Sequence, residues 1–359
     1  MDIRYLVRAF VSAGALLAAP SVSHADSAQA RGCATTVQVE NANNAGAGSL
    51  RDAVLAVCAG GTITFANRFV IDLESPLTIS STLTIDGSSQ ARDASTGDGN
   101  LVQIIGGPAH RSFVVNAGGS LTLRRVRISN STTNDRGGAI LSQGHLAVHD
   151  SRFDGNSTGT AGGGAINAQF GSTLLVVGST FDANSSFRGA AIYNEGDAQL
   201  ENSTFSGNAG ATSEGAIQNR GHLVAIHITV ANNGGPNASS GGLFAFNADT
   251  VLINSVIADN VGQNCRINSG TVTAIALLAE SGTCTPQFTA DPQLLPLAAR
   301  GGVTRTHGLA ATSPAIDAGD AEFCLATDQR GVLRPLQAGC DLGAIENEDI
   351  FGDGFDGPL

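Results

Sequence analysis

The sequence predicts an all-β solenoid, because two short motifs alternate along its middle at a nearly constant spacing. One motif is Phe-x-x-Asn, and the other is Gly-Gly-Ala-Ile or a close variant. Successive Phe-type motifs are 28, 24, 25 and 27 residues apart, and successive Gly-type motifs are 26, 26, 25 and 27 residues apart. Such a period is typical of repeat proteins, in which no repeat buries its apolar face alone. The Phe-type motifs are Phe153–Asn156, Phe181–Asn184, Phe205–Asn208, Val230–Asn233 and Ile257–Asn260; the Gly-type motifs are Gly137–Ile140, Gly163–Ile166, Gly189–Ile192, Glu214–Ile217 and Gly241–Phe244.

Each repeat contains short runs in which apolar residues occur at every second position, such as Leu121–Leu123 and Leu146–Val148. Runs of this kind, broken by Gly, Asn, Asp and Ser, predict strands of three to five residues separated by turns. A repeat of about 25 residues holds three such strands and three bends, which is one coil of a solenoid. Neighbouring coils would pair in parallel at about 4.8 Å.

The motif residues then have structural roles rather than catalytic ones. The phenylalanines Phe153, Phe181 and Phe205 are expected to point inward and stack on one another. The asparagines are expected to adopt the left-handed conformation and to hydrogen-bond along the axis as a ladder. Paired glycines allow a sharp bend where a side chain would meet the next coil. The predicted ladder consists of Asn156, Asn184, Asn208, Asn233 and Asn260.

Both ends of the chain differ from the repeats. Arg4 and Arg8 precede an apolar run and a small-residue exit that ends at Ala25, which predicts a secretory signal peptide over residues 1–25. No later segment is apolar for long enough to span a bilayer as a helix, so we expect a secreted or cell-surface protein. A capping box at Ser49–Asp52 predicts a short amphipathic helix. The predicted domains are an N-terminal cap at 26–60, a β-helix at 61–284, a C-terminal cap at 285–346 and a tail at 347–359.

The cysteines and the charge balance narrow the class of protein. Six cysteines in an exported chain favour disulfides, and the Cys-x-x-Cys spacing typical of metal sites is absent. We expect local pairs, although spacing alone leaves the connectivity open. The chain has 19 basic and 31 acidic residues, all the basic ones being arginine, and a net charge of −12. This balance argues against a nucleic-acid partner, and we expect a monomer. The expected pairs are Cys33 with Cys58, Cys265 with Cys284, and Cys324 with Cys340.

Three regions resemble known bacterial families. The central motifs resemble polymorphic outer membrane protein repeats. Gly48–Ala53, with Ile71–Leu73 and Leu83–Gly87 downstream, resembles the domain named for Cys-Ser-Leu-Arg-Glu-Ala, although Gly48 replaces the Cys and Asp52 the Glu. A longer set of segments resembles the choice-of-anchor Q domain in order and spacing. These segments are Asp291-Pro292, Gly301–Thr304, Thr306-His307, Ser313–Gly319, Asp328–Gly331, Arg334-Pro335 and Cys340–Glu346.

Together these resemblances imply a right-handed parallel β-helix of the pectin-lyase-like class, exported and often held at the cell surface. The C-terminal Asp349–Asp356 is similar to a short tail on many secreted gammaproteobacterial proteins.

Architecture alone does not decide whether such a protein is an enzyme. The hydrolases that resemble polygalacturonases need Asn-Thr-Asp, Asp-Asp, Gly-His-Gly and Arg-x-Lys segments. None occurs here, and the last is impossible in a chain without lysine. Pectate-lyase-like sites need a dense cluster of calcium-binding acids beside a basic residue, and no such cluster is apparent. We therefore predict no cofactor, and nothing in the sequence supports calcium.

Register arithmetic tests the remaining candidates for a metal or hydrogen-bonded site. His145 and His222 occupy one column but are three coils apart, about 14 Å, so they cannot share a zinc ion. Asp197 and His222 lie on adjacent coils of that column, and a solvent-facing turn pair explains them.

Two further groups are candidates for carbohydrate chemistry. Asp154 and Asp182 lie one coil apart, so their carboxylates could approach to about 5 Å, as in retaining glycosidases; we favour a role in turns for both. Four arginines form the densest cationic spot, which could grip uronate or sulfate groups. The alternative, which we favour, is an exposed Arg–Asp network that contributes little. These arginines are Arg124, Arg125, Arg127 and Arg152.

The leading hypothesis is a non-enzymatic, secreted or surface-displayed β-helix with an adhesin-like or scaffold role. Its partner would be an extracellular or cell-surface polysaccharide or protein. The competing hypothesis is a lyase or glycoside hydrolase that acts on acidic polysaccharide through the Arg and Asp columns.

Overall fold

The computed structural model describes residues 33–90, 101–209 and 214–348. Within them the chain forms an all-β, parallel solenoid of about nine turns, with only 3% helix. The predicted fold class is therefore confirmed. The predicted signal peptide, the residues up to 32, and residues 349–359 of the predicted tail lie outside the described part of the chain.

The strands are short, as the alternating runs predict. In chain order they are β1 (Ala34–Val39), β2 (Val57–Phe65), β3 (Val70–Asp72), β4 (Leu77–Ile79), β5 (Thr82–Asp86), β6 (Val102–Gly107), β7 (Phe113–Val115), β8 (Ser120–Arg124), β9 (Val126–Thr133), β10 (Ile140–Ser142), β11 (His145–His149), β12 (Arg152–Asp154), β13 (Ser157–Thr158), β14 (Ile166–Ala168), β15 (Thr173–Val177), β16 (Thr180–Asp182), β17 (Ile192–Asn194), β18 (Asp197–Glu201), β19 (Thr204–Ser206), β20 (Ile217–Asn219), β21 (His222–Ile226), β22 (Thr229–Ala231), β23 (Ser240–Ile253), β24 (Val256–Ala258), β25 (Gln263–Ile275) and β26 (Leu278–Ala279).

Three stacks of parallel strands run along the solenoid axis. Stack A contains β4, β7, β10, β14, β17, β20 and the first part of β23. Stack B contains β1, β2, β5, β8, β11, β15, β18, β21 and the second part of β23. Stack C contains β3, β6, β9, β12, β16, β19, β22, β24 and β26. The long strand β23 joins stacks A and B, and β25 pairs along it.

The register of stack C agrees with the Phe-type spacing. Phe153 pairs with Phe181, Phe181 with Phe205, and Phe205 with Val230, which in turn pairs with Ile257. The three phenyl rings are fully buried, and their centroids are 4.8 and 5.0 Å apart with nearly parallel planes. Stacked rings that each bury a large apolar area are a major source of cohesion along the axis. The predicted interior file of phenylalanines is therefore present.

One Gly-type motif pairs differently from the prediction. In stack A, Ile217 pairs with Leu243 rather than with Phe244, which pairs with Gln218 instead. The smaller Leu243 therefore points inward, and the Phe244 ring packs outside against the Arg266 guanidinium, 5.3 Å from the ring centroid. The motif spacing predicts that Phe244 pairs with Ile217, because each is the fourth residue of its motif. The observed pairing is shifted by one residue.

The asparagine ladder forms, and its members are buried or partly buried. Each side-chain amide donates to the Oδ1 of the equivalent asparagine on the next coil, over 2.9–3.0 Å. Each Oδ1 also accepts the backbone N–H of the preceding member, over 2.9–3.1 Å. The amides are thus satisfied inside the protein, as buried polar groups must be. The ladder runs through Asn156, Asn184, Asn208, Asn233 and Asn260.

The left-handed conformation falls on the residue before each ladder asparagine, not on the asparagine itself. This corrects the predicted conformation. The bend occurs one residue earlier, so that the asparagine can direct its amide along the axis from ordinary backbone. The left-handed residues are Gly155, Ala183, Gly207, Asn232 and Asp259.

The predicted helix near the N-terminus is present as α1 (Leu50–Ala56). Ser49 caps it, accepting the backbone N–H of Asp52 at 3.1 Å, while the Asp52 carboxylate accepts the N–H of Gly48. Leu50 is buried, but Leu55 is 81% exposed and does not join the core. The apolar face of α1 that packs against the core is therefore narrower than an amphipathic helix that includes Leu55 would have.

The C-terminal segment, residues 285–348, closes the end of the solenoid and also covers part of its side. Phe288 bridges to Leu278 at the last coil, and the chain then turns back along the outer face of stack C. Thr304 donates a hydrogen bond to the Gly178 carbonyl over 2.9 Å, and Ala344 donates to the Thr229 hydroxyl over 2.9 Å. The sequence predicts only a cap at the end of the solenoid, and not that the outer face of stack C is also covered by this segment. Its one helical element is a 3₁₀ helix at Ala321–Phe323.

Disulfides fasten this end of the molecule. Cys265 is bonded to Cys284, which ties β25 to the chain beyond β26, and Cys324 is bonded to Cys340 within the C-terminal segment. Cys33 and Cys58 are also disulfide-bonded. The predicted pairs Cys265–Cys284 and Cys324–Cys340 are therefore confirmed. No helix among the described residues is long and apolar enough to cross a membrane.

Candidate functional site

The histidine column lies where register arithmetic predicts. His145 pairs with Thr173, Thr173 with Asp197, and Asp197 with His222. The Nδ1 atom of His145 is 2.7 Å from the Thr173 hydroxyl. Because three coils separate His145 from His222, these two residues do not form one site.

The two candidate catalytic carboxylates are held by arginines. Arg127 binds Asp154 through two nitrogens at 2.7 and 2.5 Å, and Arg152 binds Asp182 through two nitrogens at 2.8 and 2.7 Å. The Arg152 Nε atom is also 3.8 Å from Asp154 Oδ1. Arginine and aspartate therefore alternate along the axis. A glycosidase pair needs two carboxyl groups that face the sugar between them, whereas the oxygens of both these carboxylates are bound by guanidinium groups.

The four-arginine cluster is not one exposed cationic surface. Arg152 is only 6% exposed, Arg127 is ion-paired, and the Arg125 Nε atom lies 3.6 Å from the Asp150 carboxylate. Arg124 is exposed, at the end of β8 beside His149. Burial, followed by the positive charge of Arg124, lowers the pKa of the His149 imidazole to about 4. The expected Arg–Asp network exists, but much of it is buried.

A different cationic surface lies on the outward side of stack A. We name it the arginine–aromatic strip and define it by three adjacent rows, each with one residue per coil. The first row, at or just before the start of each Gly-type motif, is Arg136, Gly162, Arg188, Glu214 and Ser240. The middle row is Leu141, Asn167, Tyr193, Gln218 and Phe244. The third row, two residues further on, is Gln143, Gln169, Glu195, Arg220 and Phe246.

Arginines of the strip interact with aromatic rings. The guanidinium carbon of Arg220 lies 4.7 Å from the centroid of Phe246, and that of Arg188 lies 5.5 Å from the centroid of Phe187. Both arginines are exposed, and within the described residues neither makes an ion pair. Stacking on a ring leaves the edge nitrogens of a guanidinium available to a further partner. Arg136 instead pairs with Glu195 at 2.7 Å, two coils away across the strip.

Tyr193 lies at the centre of the strip and is largely buried. Its ring covers Gly162 so closely that a Cβ at that glycine would be 2.8 Å from ring carbons. Burial and the negative charge of Glu195 raise the pKa of the Tyr193 hydroxyl against the opposing effect of nearby arginines. The phenol therefore remains neutral and can donate a hydrogen bond.

Two buried amide oxygens flank Tyr193 in the middle row. Within the described part of the chain, neither the Oδ1 atom of Asn167 nor the Oε1 atom of Gln218 has a hydrogen-bond partner, although both residues are at most 1% exposed. Leaving a buried polar atom unpaired costs about 1–3 kcal/mol. Such atoms call for an explanation, and a ligand or water that donates to them is one.

Exposed phenyl rings border the strip on both sides. Phe170 is 92% exposed and follows Gln169 of the third row, while Phe187 is 40% exposed and precedes Arg188 of the first row. Residues Phe170 and Gly171 lengthen the turn after β14 relative to the neighbouring coils. These two rings give the strip apolar margins.

A groove of about 610 Å³ lies elsewhere, on the coils nearer the N-terminus. Its lining includes the exposed carboxylates Asp72 and Glu74, together with His110, whose Nε2 atom is 3.0 Å from the Leu73 carbonyl. The groove is acidic and lacks arginine among its lining residues. It is therefore poorly suited to an anionic ligand.

One group of potential metal ligands occurs among the described residues. The ligand atoms of His227, Cys324 and Cys340 lie within 4.8 Å of one another. The two cysteines are joined in a disulfide, so they offer no thiolate to a metal.

No protein-family model matches the chain, and no curated protein matches it. The class that the fold defines is the parallel β-solenoid. The family resemblances described above remain predictions.

The sequence-based prediction puts the cationic site on and between β8, β9 and β12 and misses the strip, because it counts the register from the Phe-type motif. The same count applied just before and after the Gly-type motif puts Arg136 and Arg188 two coils apart in one row. It also puts Arg220 in the row on the far side.

Proposed function

We propose that this protein is an exported, non-catalytic β-solenoid that binds an acidic polysaccharide at or outside the cell surface. The observation that carries the proposal is the presence of exposed Arg188 and Arg220 in a strip of amides and aromatic rings, where neither forms an ion pair with a residue that the structure describes. In a chain with a net charge of −12, two such arginines favour an anionic ligand.

Each component of the strip suits a polysaccharide. Guanidinium groups bind carboxylate and sulfate with two parallel hydrogen bonds. Aromatic rings and amides are the groups that bind the apolar faces and hydroxyls of ligands in protein sites. Solenoids present such groups on long lateral surfaces. The disulfides suit an oxidising compartment outside the cytoplasm.

Binding of polyuronate oligosaccharides to the purified protein tests the proposal. The double variant Arg188→Gln/Arg220→Gln is expected to lose at least tenfold in affinity, because two charge-assisted hydrogen-bonding groups are removed. Arg124→Gln is the matched control, since Arg124 is equally exposed but lies on stack B. Equal binding by wild type and the double variant, or no binding by either, would refute the proposal.

The alternative is an enzyme that cleaves acidic polysaccharide, with Asp154 and Asp182 as its carboxylates. Their position one coil apart is the observation in its favour. A screen for unsaturated or reducing sugar ends, with and without calcium, tests it. Turnover that is abolished by Asp154→Ala or Asp182→Ala in folded protein would replace the binding proposal with this one.

A further inference from the structure

The charged residues of the strip alternate between its two edges on consecutive coils. On the Ile192 coil, Arg188 occupies the first row and Glu195 the third. On the next coil the order is reversed, with Glu214 in the first row and Arg220 in the third. Between these two coils, about 4.8 Å apart along the axis, the positive charge therefore changes side.

This alternation matches one class of polymer. In an extended chain of 1,4-linked sugars whose two linkage bonds are both equatorial, each sugar is turned over relative to the one before it. Each sugar also advances by close to the height of one coil. When every sugar is a uronic acid, the carboxylates appear on alternate edges of a flat ribbon, with hydroxyls opposite each one.

We infer that the strip binds a uronic acid polymer with diequatorial 1,4 linkages, lying parallel to the solenoid axis with one sugar per coil. This inference rests on the proposed function and specifies its ligand. Arg188 and Arg220 bind the carboxylates of two consecutive sugars on opposite edges. Glu214, on the edge opposite Arg220, accepts hydrogen bonds from hydroxyls.

The remaining features of the strip fit the same orientation. Tyr193 lies between the two edges, where a sugar ring would pass, and its neutral phenol can donate to the ligand. Phe170 and Phe187 border the ribbon on its two sides.

Epimeric oligosaccharides provide a sharp test. Hexamers of β-1,4-linked mannuronate form the extended ribbon, whereas hexamers of α-1,4-linked guluronate carry the same charges on a buckled chain with diaxial linkages. We expect the protein to bind the mannuronate hexamer at least tenfold more tightly, and to bind a neutral β-1,4-linked mannose hexamer at least tenfold more weakly than the mannuronate.

The outcomes separate this inference from the proposed function. Equal or tighter binding of guluronate, with loss of binding in Arg188→Gln/Arg220→Gln, would overturn the ribbon geometry and leave the proposed function in place. Binding of neither uronate would overturn both.

A rescue variant tests the register directly. Gln169 occupies the third row one coil before Arg188, so an arginine there restores the alternation on the other side of Arg188. We expect Arg220→Gln to lose about tenfold in affinity for the mannuronate hexamer, and Gln169→Arg/Arg220→Gln to recover most of it. Failure to recover, in protein with unchanged thermal stability, would contradict the alternating register.

Discussion

Side chains in this molecule repeat their contacts from coil to coil, so each residue is one member of a row of equivalent residues along the solenoid axis. Asn208 shows the principle, because its amide both donates to Asn233 and accepts from Asn184. The Arg–Asp row on stack C follows the same rule with charges, since Arg152 lies between Asp182 and Asp154. Removal of one asparagine therefore leaves polar groups on both neighbouring asparagines without that partner, and removal of Arg152 leaves Asp182 without its short guanidinium contacts.

We predict that Arg152→Gln destabilises the protein by about 3–5 kcal/mol, the usual cost of leaving a buried charge unpaired. Asp182 would lose both of its short guanidinium contacts. Urea unfolding measures the change. Arg124→Gln, on an exposed arginine, is expected to change stability by less than about 0.5 kcal/mol. If both variants unfold at the same urea concentration, the Arg–Asp row does not stabilise the fold.

Acid sensitivity depends in part on His149. Its pKa is about 4 in the folded protein because burial and Arg124 disfavour the charged ring, while the unfolded chain titrates near 6.5. The unfolded state therefore binds an extra proton between these values, so stability falls as the pH decreases from 6.5 to 4. Buried His227 and His307 act in the same direction, and Asp341, with its pKa raised by burial to about 6, opposes them.

We predict that His149→Gln reduces this loss of stability by roughly 1–2 kcal/mol, after allowance for the partial exposure of the ring. Urea unfolding at pH 6.5 and pH 4.5 gives the comparison. His145→Gln, at an exposed position of the same strand, controls for the substitution itself. A steeper dependence in His149→Gln would show that the sign is wrong.

Elements in the repeats and elements outside them are stabilised in different ways. Each strand of the repeats pairs with equivalents one coil away, so its environment recurs at a fixed spacing. The C-terminal segment has no such recurrence, and its contacts with stack C join residues far apart in the chain. Gln329 is the clearest link, because it bonds Thr180 and Thr204 of stack C as well as Thr304 of its own segment.

We predict that Gln329→Ala loosens the C-terminal segment while the solenoid stays folded. The side chain makes hydrogen bonds of 2.6–3.1 Å on both sides of the contact, and their loss should cost about 2 kcal/mol. Limited proteolysis should then cut more rapidly within residues 300–348. Thr312→Ala, at an exposed site of the same segment, should leave cleavage unchanged; equal cleavage in both variants would contradict the role of Gln329.

This difference explains which elements could be predicted from the sequence. Phe153, Asn156 and their equivalents repeat because stacking requires the same shape at each level, so the period predicts both rows. The left-handed residues before the asparagines vary in type, among Gly155, Ala183 and Asp259, and no motif marks them. The path of the C-terminal segment depends on contacts more than 100 residues apart in sequence, which no periodicity encodes.

At the scale of the whole molecule, the solenoid presents three long faces with different surroundings. The outer face of stack C is covered in part by the C-terminal segment, and its Arg–Asp row is neutralised. Stack A carries the exposed arginines and rings of the strip. The residues of the strip differ in type from coil to coil, so it has no simple repeat, and only the register of the folded chain brings its residues together.

Hydrogen exchange with and without a mannuronate oligosaccharide tests the central claim most directly, because it locates the binding surface without a mutation. The account predicts that binding slows exchange in residues 136–142, 162–170, 188–196 and 214–221, which form the strip, and leaves stacks B and C unchanged. Protection centred on the acidic groove around Asp72 and His110, or on the Arg127–Asp182 row, would contradict it.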